Sequence, residues 1–439
     1  MASRHFATLI KNTLNMNWSK YTKLFYSEKA SAYLLYSTLS NALIKVDPEL
    51  YDELVSIMES PSSIKSDDER YKFLFDGRFI VESDDAEINK IILQNLRRRF
   101  STDSLSLTIA PTRYCNFACP YCYEKGRIMR KEMSMEVMDG IISYVKKNYM
   151  DKPVFVTWYG GEPTEAIDSI VYLTTHLKPI CKYSASIITN GYNLDKLLSI
   201  IDDLKITSAQ ITIDGARQSH NKTRILRSGQ NSYDKIMDNI NAAIQKKDDM
   251  NIYVRMNITK QNSTEYVDLH KEIRSRFGSR VILYPAFVHD YNNTCSNNTC
   301  FECAEEKSSF LTDLYETHGI YTNELLISRR NKGCGVQSQS SFVIGPEGEL
   351  YKCWHHIGMS DKVIGNILAP NIITDIDRYA TYTLKNDNLF DKDCHECVLF
   401  PSCTGGCVDM RNLKQDYCMV AKSNLEKFIE LQFMYNSQN

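Results

Sequence analysis

No stretch of the sequence approaches the roughly 18 continuous apolar residues that a membrane-spanning helix needs, so no such helix and no membrane partner are expected. The opening "MASRHFATLIKNTLNMNWSKYTKLFY" scatters polar residues where a secretory signal keeps an unbroken apolar core. Positive charge is not in excess either: 52 Lys and Arg stand against 54 Asp and Glu. Without such an excess there is no field to hold a phosphate backbone by counterion release, so nucleic acid is excluded as the main partner. The expectation is a soluble, cytoplasmic protein in a reducing compartment, where disulfides are uncommon. Against that background the 14 cysteines are the informative feature, because clustered thiols in such a compartment more often ligate metal.

A chain of 439 residues, 43% of them apolar, is long enough for about three domains at roughly 150 residues each. In residues 1–103, "SAYLLYSTLSNALIKV" reads as two short strands around a polar turn. Asp47 and Pro48 then supply an N-cap and a proline at the first helical position, predicting a helix to about Glu59. A polar linker, the strand-like "RFIVES" and a charged helix from Asp85 to Phe100 complete an α+β unit.

From Leu105 to about Pro285, six β-branched apolar runs alternate with amphipathic segments near 134–148, 164–178, 193–204, 231–246 and 263–276. This α/β alternation implies a parallel sheet with right-handed crossovers. Six units are too few for a closed eight-unit barrel, leaving an open partial barrel or a doubly wound sheet for 104–290. Past residue 290 the regularity fades and ten cysteines follow, so metal is expected to do there what a core does elsewhere. The region divides into a bridging stretch, 291–333, and a terminal region, 334–439, that ends in a helix.

"RYCNFACPYCYEKG" holds Cys115, Cys119 and Cys122 directly after the first strand, "LSLTIA". Its loop therefore lies at the carboxyl end of a parallel strand, where such sheets build their sites. A structural zinc closes with four ligands, so three thiols suggest an open iron–sulfur cluster, the alternative being a zinc ion with a distant fourth ligand. The second strand ends in "WYGGEP", where Gly160 and Gly161 admit close approach to bare backbone and Glu162 offers a carboxylate to a cationic amine. The fourth strand ends in "ITIDG", placing Thr212, Asp214 and, after a loop, Arg224 on the same rim, with Arg224 able to clamp a carboxylate. Together these groups describe a pocket for a zwitterion.

These three motifs, in order on matching elements, resemble the radical S-adenosylmethionine enzymes over residues 105–285. The resemblance implies a (β/α)6 partial TIM barrel in which Cys115, Cys119 and Cys122 hold a [4Fe-4S] cluster. The fourth iron would take the amino and carboxylate groups of S-adenosylmethionine, which is cleaved to a 5′-deoxyadenosyl radical. It assigns Glu162 to the methionyl amine, with Gly160 and Gly161 in the same motif, Tyr121 to the adenine edge, and Thr212 and Arg224 to ribose and carboxylate. Such chemistry belongs to the cofactor, which the protein positions and shields.

The terminal cysteines Cys334, Cys353, Cys394, Cys397, Cys403, Cys407 and Cys418 are similar to those of the SPASM extension carried by many peptide-modifying radical enzymes. That likeness implies a loop-rich iron–sulfur domain with two auxiliary [4Fe-4S] clusters. Cys394, Cys397, Cys403 and Cys418 would hold one; Cys334, Cys353 and Cys407 would give three ligands to the other. Relatives with that second cluster closed have a cysteine six residues before the first SPASM cysteine, where this chain has Ser328. Either the site is open to substrate, or Cys295, Cys300 or Cys303 closes it; a further metal site in their loop is the third reading. Cys181 reads as buried packing, and His355 with His356 as a solvated or hydrogen-bonded pair. On spacing alone, 394–418 also fits a zinc ribbon.

The unit 1–103 resembles, in order and size, the winged-helix-like leader-recognition regions of ribosomal-peptide maturases, whose edge strand can capture a peptide. The implied protein is an oxidoreductase that installs a thioether or carbon–carbon cross-link in a ribosomally made precursor peptide bearing a leader. It would be served by an external electron donor such as flavodoxin or ferredoxin. Sulfatase maturases are the alternative. They place an Asp directly after the second SPASM cysteine, where this chain has Trp354, and generally lack so long a segment before the first motif. A zinc-binding peptide-recognition scaffold is the non-enzymatic alternative.

Overall fold

The six apolar runs form six parallel strands, Leu105–Ile109, Pro153–Trp158, Lys182–Thr189, Ile206–Thr212, Asn251–Ile258 and Val281–Phe287. Each pairs with the next in sequence. A doubly wound sheet would reverse its strand order at a switch point. Here the order never reverses across the six strands, so the sheet is that of the partial barrel. Register brings the carboxyl ends to one rim, with Ile109 beside Trp158, Trp158 beside Ile187, Thr189 beside Ile211 and Ile258 beside Phe287.

The computed structural model describes residues 16–65, 67–288, 299–328, 333–385, 387–413 and 417–438. One compact unit comprises 98–307 with 334–385; the other comprises the described parts of 1–97, 308–333 and 386–439. In the barrel unit, side chains alternate along each strand with the period of two that a pleated backbone imposes. Ala209, Ile211, Val254 and Met256 are fully buried, while Gln210, Thr212, Arg255 and Asn257 line a cavity. Amphipathic helices Met135–Asn148, Ile167–Leu177, Tyr233–Lys246 and Tyr266–Phe277 follow the strands as their apolar spacing predicts. The predicted helix near 193–204 is shorter, Asp195–Leu198. Its apolar residues Leu194, Leu197, Ile201 and Leu204 are buried all the same, since bonds such as Leu197 N–H to Leu194 and Ile200 N–H to Leu197 close i to i+3 turns. Beyond the first strand the sheet continues: Ser341–Ile344 pairs parallel to it, and Glu349–Tyr351 and Gly365–Asn366 add antiparallel. Part of the cysteine-rich region thus joins the barrel sheet, which the loss of regularity past residue 290 did not lead one to expect.

In the other unit, Thr22–Ser27, Ala32–Ser37 and Leu43–Val46 form an antiparallel sheet with Ala32–Ser37 in the middle. The sequence reading found the second and third strands and missed the first. Helix Pro48–Glu59 starts at the proline as expected, with Asp47 in the extended N-cap conformation, and Leu54 and Ile57 bury its inner face against Leu35 and Val46. The last segment of the chain joins this unit through apolar packing: Leu389 and Phe400 share a core with Tyr21, Leu39, Val81, Ile88 and Ile91. Hydrogen bonds fix the join, from Tyr21 Oη to the His395 carbonyl (2.8 Å) and from Thr38 Oγ1 to that of Val398 (2.6 Å). The terminal cysteines therefore do not depend on metal alone for a core, contrary to the sequence expectation, because the missing apolar partners come from the start of the chain. Phe400→Ala removes a fully buried ring that packs 6.1 Å from Tyr21. It is expected to destabilise this unit by about 3–5 kcal/mol, read from its denaturant midpoint.

Candidate functional site

The loop after the first strand turns back over the rim, and its three thiols face one cavity. Cys115, Cys119, Cys122, Tyr121, Gly160, Gly161, Glu162, Thr212 and Arg224 all line it, while Asp214, placed on the same rim from sequence, is not among the lining residues and reaches them through its bond with Tyr121. The cavity has a volume of about 210 Å³ and opens to solvent at the rim. Backbone bonds brace the loop: Ala118 N–H to the Ile225 carbonyl (2.7 Å), Arg227 N–H to Asn116 (2.9 Å) and Glu162 N–H to Tyr114 (2.8 Å). The 224–227 segment as a brace was not legible from motifs.

The two glycines act differently from the sequence expectation. A Cβ on Gly160 would strike the Thr112 carbonyl, and one on Gly161 those of Tyr114 and Arg113. What they admit first is the protein's own backbone at the foot of the cysteine loop, with Gly160 at φ +108°. Both still border the cavity.

Glu162 is 1% exposed and accepts four hydrogen bonds. Thr164 N–H (3.1 Å), Thr164 Oγ1 (2.7 Å) and Thr189 Oγ1 (2.6 Å) reach Oε1, and Asn190 N–H (2.7 Å) reaches Oε2. None of these donors is a cation. Burial pushes its carboxyl up while the four donors oppose that shift, leaving a buried carboxylate suited to an incoming amine. Thr189 and Asn190 were missed in the sequence, although the strand-end rule that found Glu162 and Thr212 applies equally to "IITNG".

Tyr121 donates its hydroxyl to Asp214 Oδ2 and accepts from Arg224 Nη1 (3.2 Å). Asp214, 2% exposed, also takes Asn257 N–H at 3.1 Å. Arg224 lies over the Phe117 ring (5.4 Å), and its buried Nε has no hydrogen-bond partner among the described residues. That orphaned donor, beside the three thiols, is where a carboxylate fits. Burial pushes the thiols of Cys115, Cys119 and Cys122 up, the last to about 11. As thiolates they need a compensating cation, and this donor set fits an iron–sulfur cluster. The far wall is aromatic: Tyr159 stands 5.6 Å from Trp354, and Tyr123 stands 4.6 Å from His355. Glu124 lines it as well, its carboxyl pushed up to about 7 by burial, with no hydrogen-bond partner for Oε1 among the described residues.

Beneath Asp214, His220 is fully buried; its Nδ1 accepts Asp214 N–H (3.3 Å) and its Nε2 meets Ser232 Oγ (3.1 Å). Burial, helped by the charge of Arg224, lowers its pKa to about 3. The unfolded chain takes up this proton below about pH 6.5 and the native state does not until about pH 3, so between those values stability is lost as pH drops, by about 1.4 kcal/mol per unit. Above about pH 6.5 the group contributes no slope. His220→Gln should flatten the acid limb of stability measured by denaturant titration between about pH 7 and pH 5.

A second pocket is lined by Cys394, Cys397, Cys403 and Cys418, the set expected to share one cluster. Gly405 N–H (3.3 Å) points at Cys403 Sγ, Arg411 Nη2 (3.0 Å) at Cys394 Sγ and Lys422 Nζ (3.7 Å) at Cys418 Sγ. Four thiols with donors aimed at three of them fit a closed iron–sulfur site. Cys334 and Cys353 lie in the barrel unit, exposed and half-buried; Cys407 is exposed in the other unit. Cys295 is outside the described residues, Cys300 is buried and Cys303 exposed. Cys181 is buried, with Sγ donating to the Leu177 carbonyl (3.2 Å). His355 borders the cavity, and buried His356 meets Tyr382 Oη at 3.4 Å. Among the described residues no helix is long and apolar enough to cross a membrane.

The model of the radical SAM superfamily matches residues 109–273. The cysteine-type anaerobic sulfatase-maturating enzyme of Clostridium novyi (strain NT) is 22% identical over 334 residues, covering 69% of this chain and 88% of that protein. Among solved structures, native anSMEcpe with bound AdoMet and Cp18Cys peptide is similar with a TM-score of 0.60 at 20% identity, over 76% of this chain and 98% of that one. SuiB of Streptococcus suis bound to precursor peptide SuiA is similar with a TM-score of 0.50 at 16% identity, over 92% of this chain and 99% of that one. At these identities the structural likenesses speak for the fold.

Proposed function

We propose, from the premise that the radical SAM superfamily model matches residues 109–273, that this chain is a radical SAM enzyme maturing a ribosomally made precursor peptide. The product would be a thioether or carbon–carbon cross-link. One observation carries this reading: three thiols, the amine-ready Glu162 and the orphaned Nε of Arg224 converge in one cavity at the strand ends. Cys115, Cys119 and Cys122 hold a [4Fe-4S] cluster there, and Glu162 and Arg224 fix the amino and carboxylate groups of S-adenosylmethionine. When bound, cluster and S-adenosylmethionine supply a 5′-deoxyadenosyl radical able to take hydrogen from a substrate carbon. Asp214 and Asn257 hold Tyr121 and, through it, Arg224 in place, and Tyr159 and Trp354 give the cavity an aromatic wall. Joining a thiol to the substrate radical releases one proton and one electron. We assign Cys394, Cys397, Cys403 and Cys418 to one auxiliary cluster. The sheet of the N-terminal unit is assigned to the leader.

Sulfatase maturation is the second reading, favoured by a curated relative with that activity whose match covers 88% of its length. Against it stands Trp354, an indole with no basic atom, where those enzymes place an acidic residue. Mass spectrometry of a candidate peptide incubated anaerobically with enzyme, reductant and S-adenosylmethionine separates the two. Loss of two hydrogens with sulfur retained supports cross-linking, whereas replacement of a cysteine's sulfur by an aldehyde oxygen supports the sulfatase reading. A colourless, zinc-loaded protein that leaves S-adenosylmethionine intact overturns both.

A further inference from the structure

Arg411 lies on the short helix Val408–Asn412 of the second pocket, outside the matched radical SAM segment. Its side chain is 9% exposed, and three groups fix it. Nη1 pairs with Asp391 Oδ2 at 2.8 Å, the guanidinium lies 4.4 Å over the Tyr417 ring, and Nη2 reaches Cys394 Sγ at 3.0 Å. Asp391 is itself held as the N-cap of helix Lys392–His395, accepting from Asp393 N–H (3.0 Å) and Cys394 N–H (3.4 Å). A single carboxylate therefore sets both the thiol-bearing backbone and the cation that touches its sulfur. The buried Nε of Arg411 has no hydrogen-bond partner among the described residues. A buried guanidinium with an unused donor, fixed on one sulfur of a four-thiol pocket, is more than a packing element needs, because a satisfied ion pair would serve for packing.

Resting on the assignment of an auxiliary cluster to this pocket, we propose that Arg411 is a positioning residue that sets the reduction potential of that cluster through Cys394. A donor on a ligating sulfur draws charge off it, and a nearby cation favours the state carrying the additional electron. Both effects raise the potential. Asp391 cancels much of the guanidinium's distant field, so the influence is concentrated on the sulfur that Arg411 touches. The pocket's other acidic group is Asp393, and its other cation is Lys422, whose contact with Cys418 Sγ is exposed and longer at 3.7 Å. Lys422 is therefore an internal comparison: water screens its charge, and its substitution should matter less.

The test uses the full chain, anaerobically reconstituted, with Cys115, Cys119 and Cys122 replaced by alanine to silence the first cluster. Potentiometric titration is followed by electron paramagnetic resonance, and the relevant signal is identified by its loss in Cys403→Ala. Arg411→Gln should keep its iron and shift the one-electron equilibrium about tenfold toward the oxidised cluster, a fall of roughly 59 mV. Arg411→Lys should recover part of the shift, and Lys422→Gln should move it less than Arg411→Gln does. An unshifted midpoint in Arg411→Gln overturns the proposal. So does equal loss of iron from the Gln and Lys variants, which would make Arg411 a structural bracket. If Cys403→Ala removes neither iron nor signal, the cluster assignment fails, and this proposal with it; a signal that is lost there but unmoved by Arg411→Gln sinks Arg411 alone.

Discussion

Alanine at Cys115, Cys119 and Cys122 together is expected to reduce cleavage of S-adenosylmethionine to the level of a protein-free blank and to remove about four iron atoms per chain. The fold should survive. The loop is pinned by backbone bonds to Ile225, Arg227 and Glu162 that involve no sulfur, and Phe117 N–H reaches Cys115 Sγ at a long 3.4 Å. Losing these thiols also removes three groups whose charged forms burial disfavours. Circular dichroism should therefore match the parent while iron assay and 5′-deoxyadenosine chromatography do not. Unchanged iron or retained cleavage would refute the role given to this loop.

Glu162→Gln should weaken S-adenosylmethionine binding by about 10- to 100-fold, the equivalent of one charge-assisted hydrogen bond. The substitution keeps shape and removes charge. Its oxygen can still satisfy the three donors on the Oε1 side, but the amide nitrogen then faces Asn190 N–H, where Oε2 now accepts at 2.7 Å. That donor-to-donor clash is expected to cost about 1–3 kcal/mol of stability as well. Equilibrium dialysis of the reconstituted protein reads the first effect and denaturant titration the second. Binding as tight as the parent's would exclude an amine contact at Glu162.

The barrel and its rim were legible because their signals are local. β-branched runs such as "NIYVRMNIT" declare a strand, and a loop at a strand's carboxyl end declares a site, so Cys115, Glu162, Thr212 and Arg224 could be grouped before any coordinates. What escaped depends on distant partners. Ser341–Ile344 has no strand signature stronger than its neighbours and becomes one by pairing with Leu105–Ile109, far back in the chain. Thr22–Ser27 is a half-exposed outer strand, and its polar and aromatic mixture gives no clean alternation. The glycines of "YGGE" announce close approach without saying of what, and here the approaching group is backbone. Arg411 sits in no motif at all, and its contact with Cys394 follows only from the way Asp391 orients both.

The core that unites the first and last parts of the chain bears on how the protein is made. Thr38 and Val398 meet although they stand 360 residues apart in sequence. The barrel strands between them emerge as one uninterrupted stretch and can begin pairing during translation. Tyr21, Leu39 and Ile88 must wait for Leu389 and Phe400 to leave the ribosome. At roughly 5–20 residues per second, this wait lasts tens of seconds. During it the nascent segment from Tyr21 to Ile91 exposes apolar surface of the kind that chaperones bind.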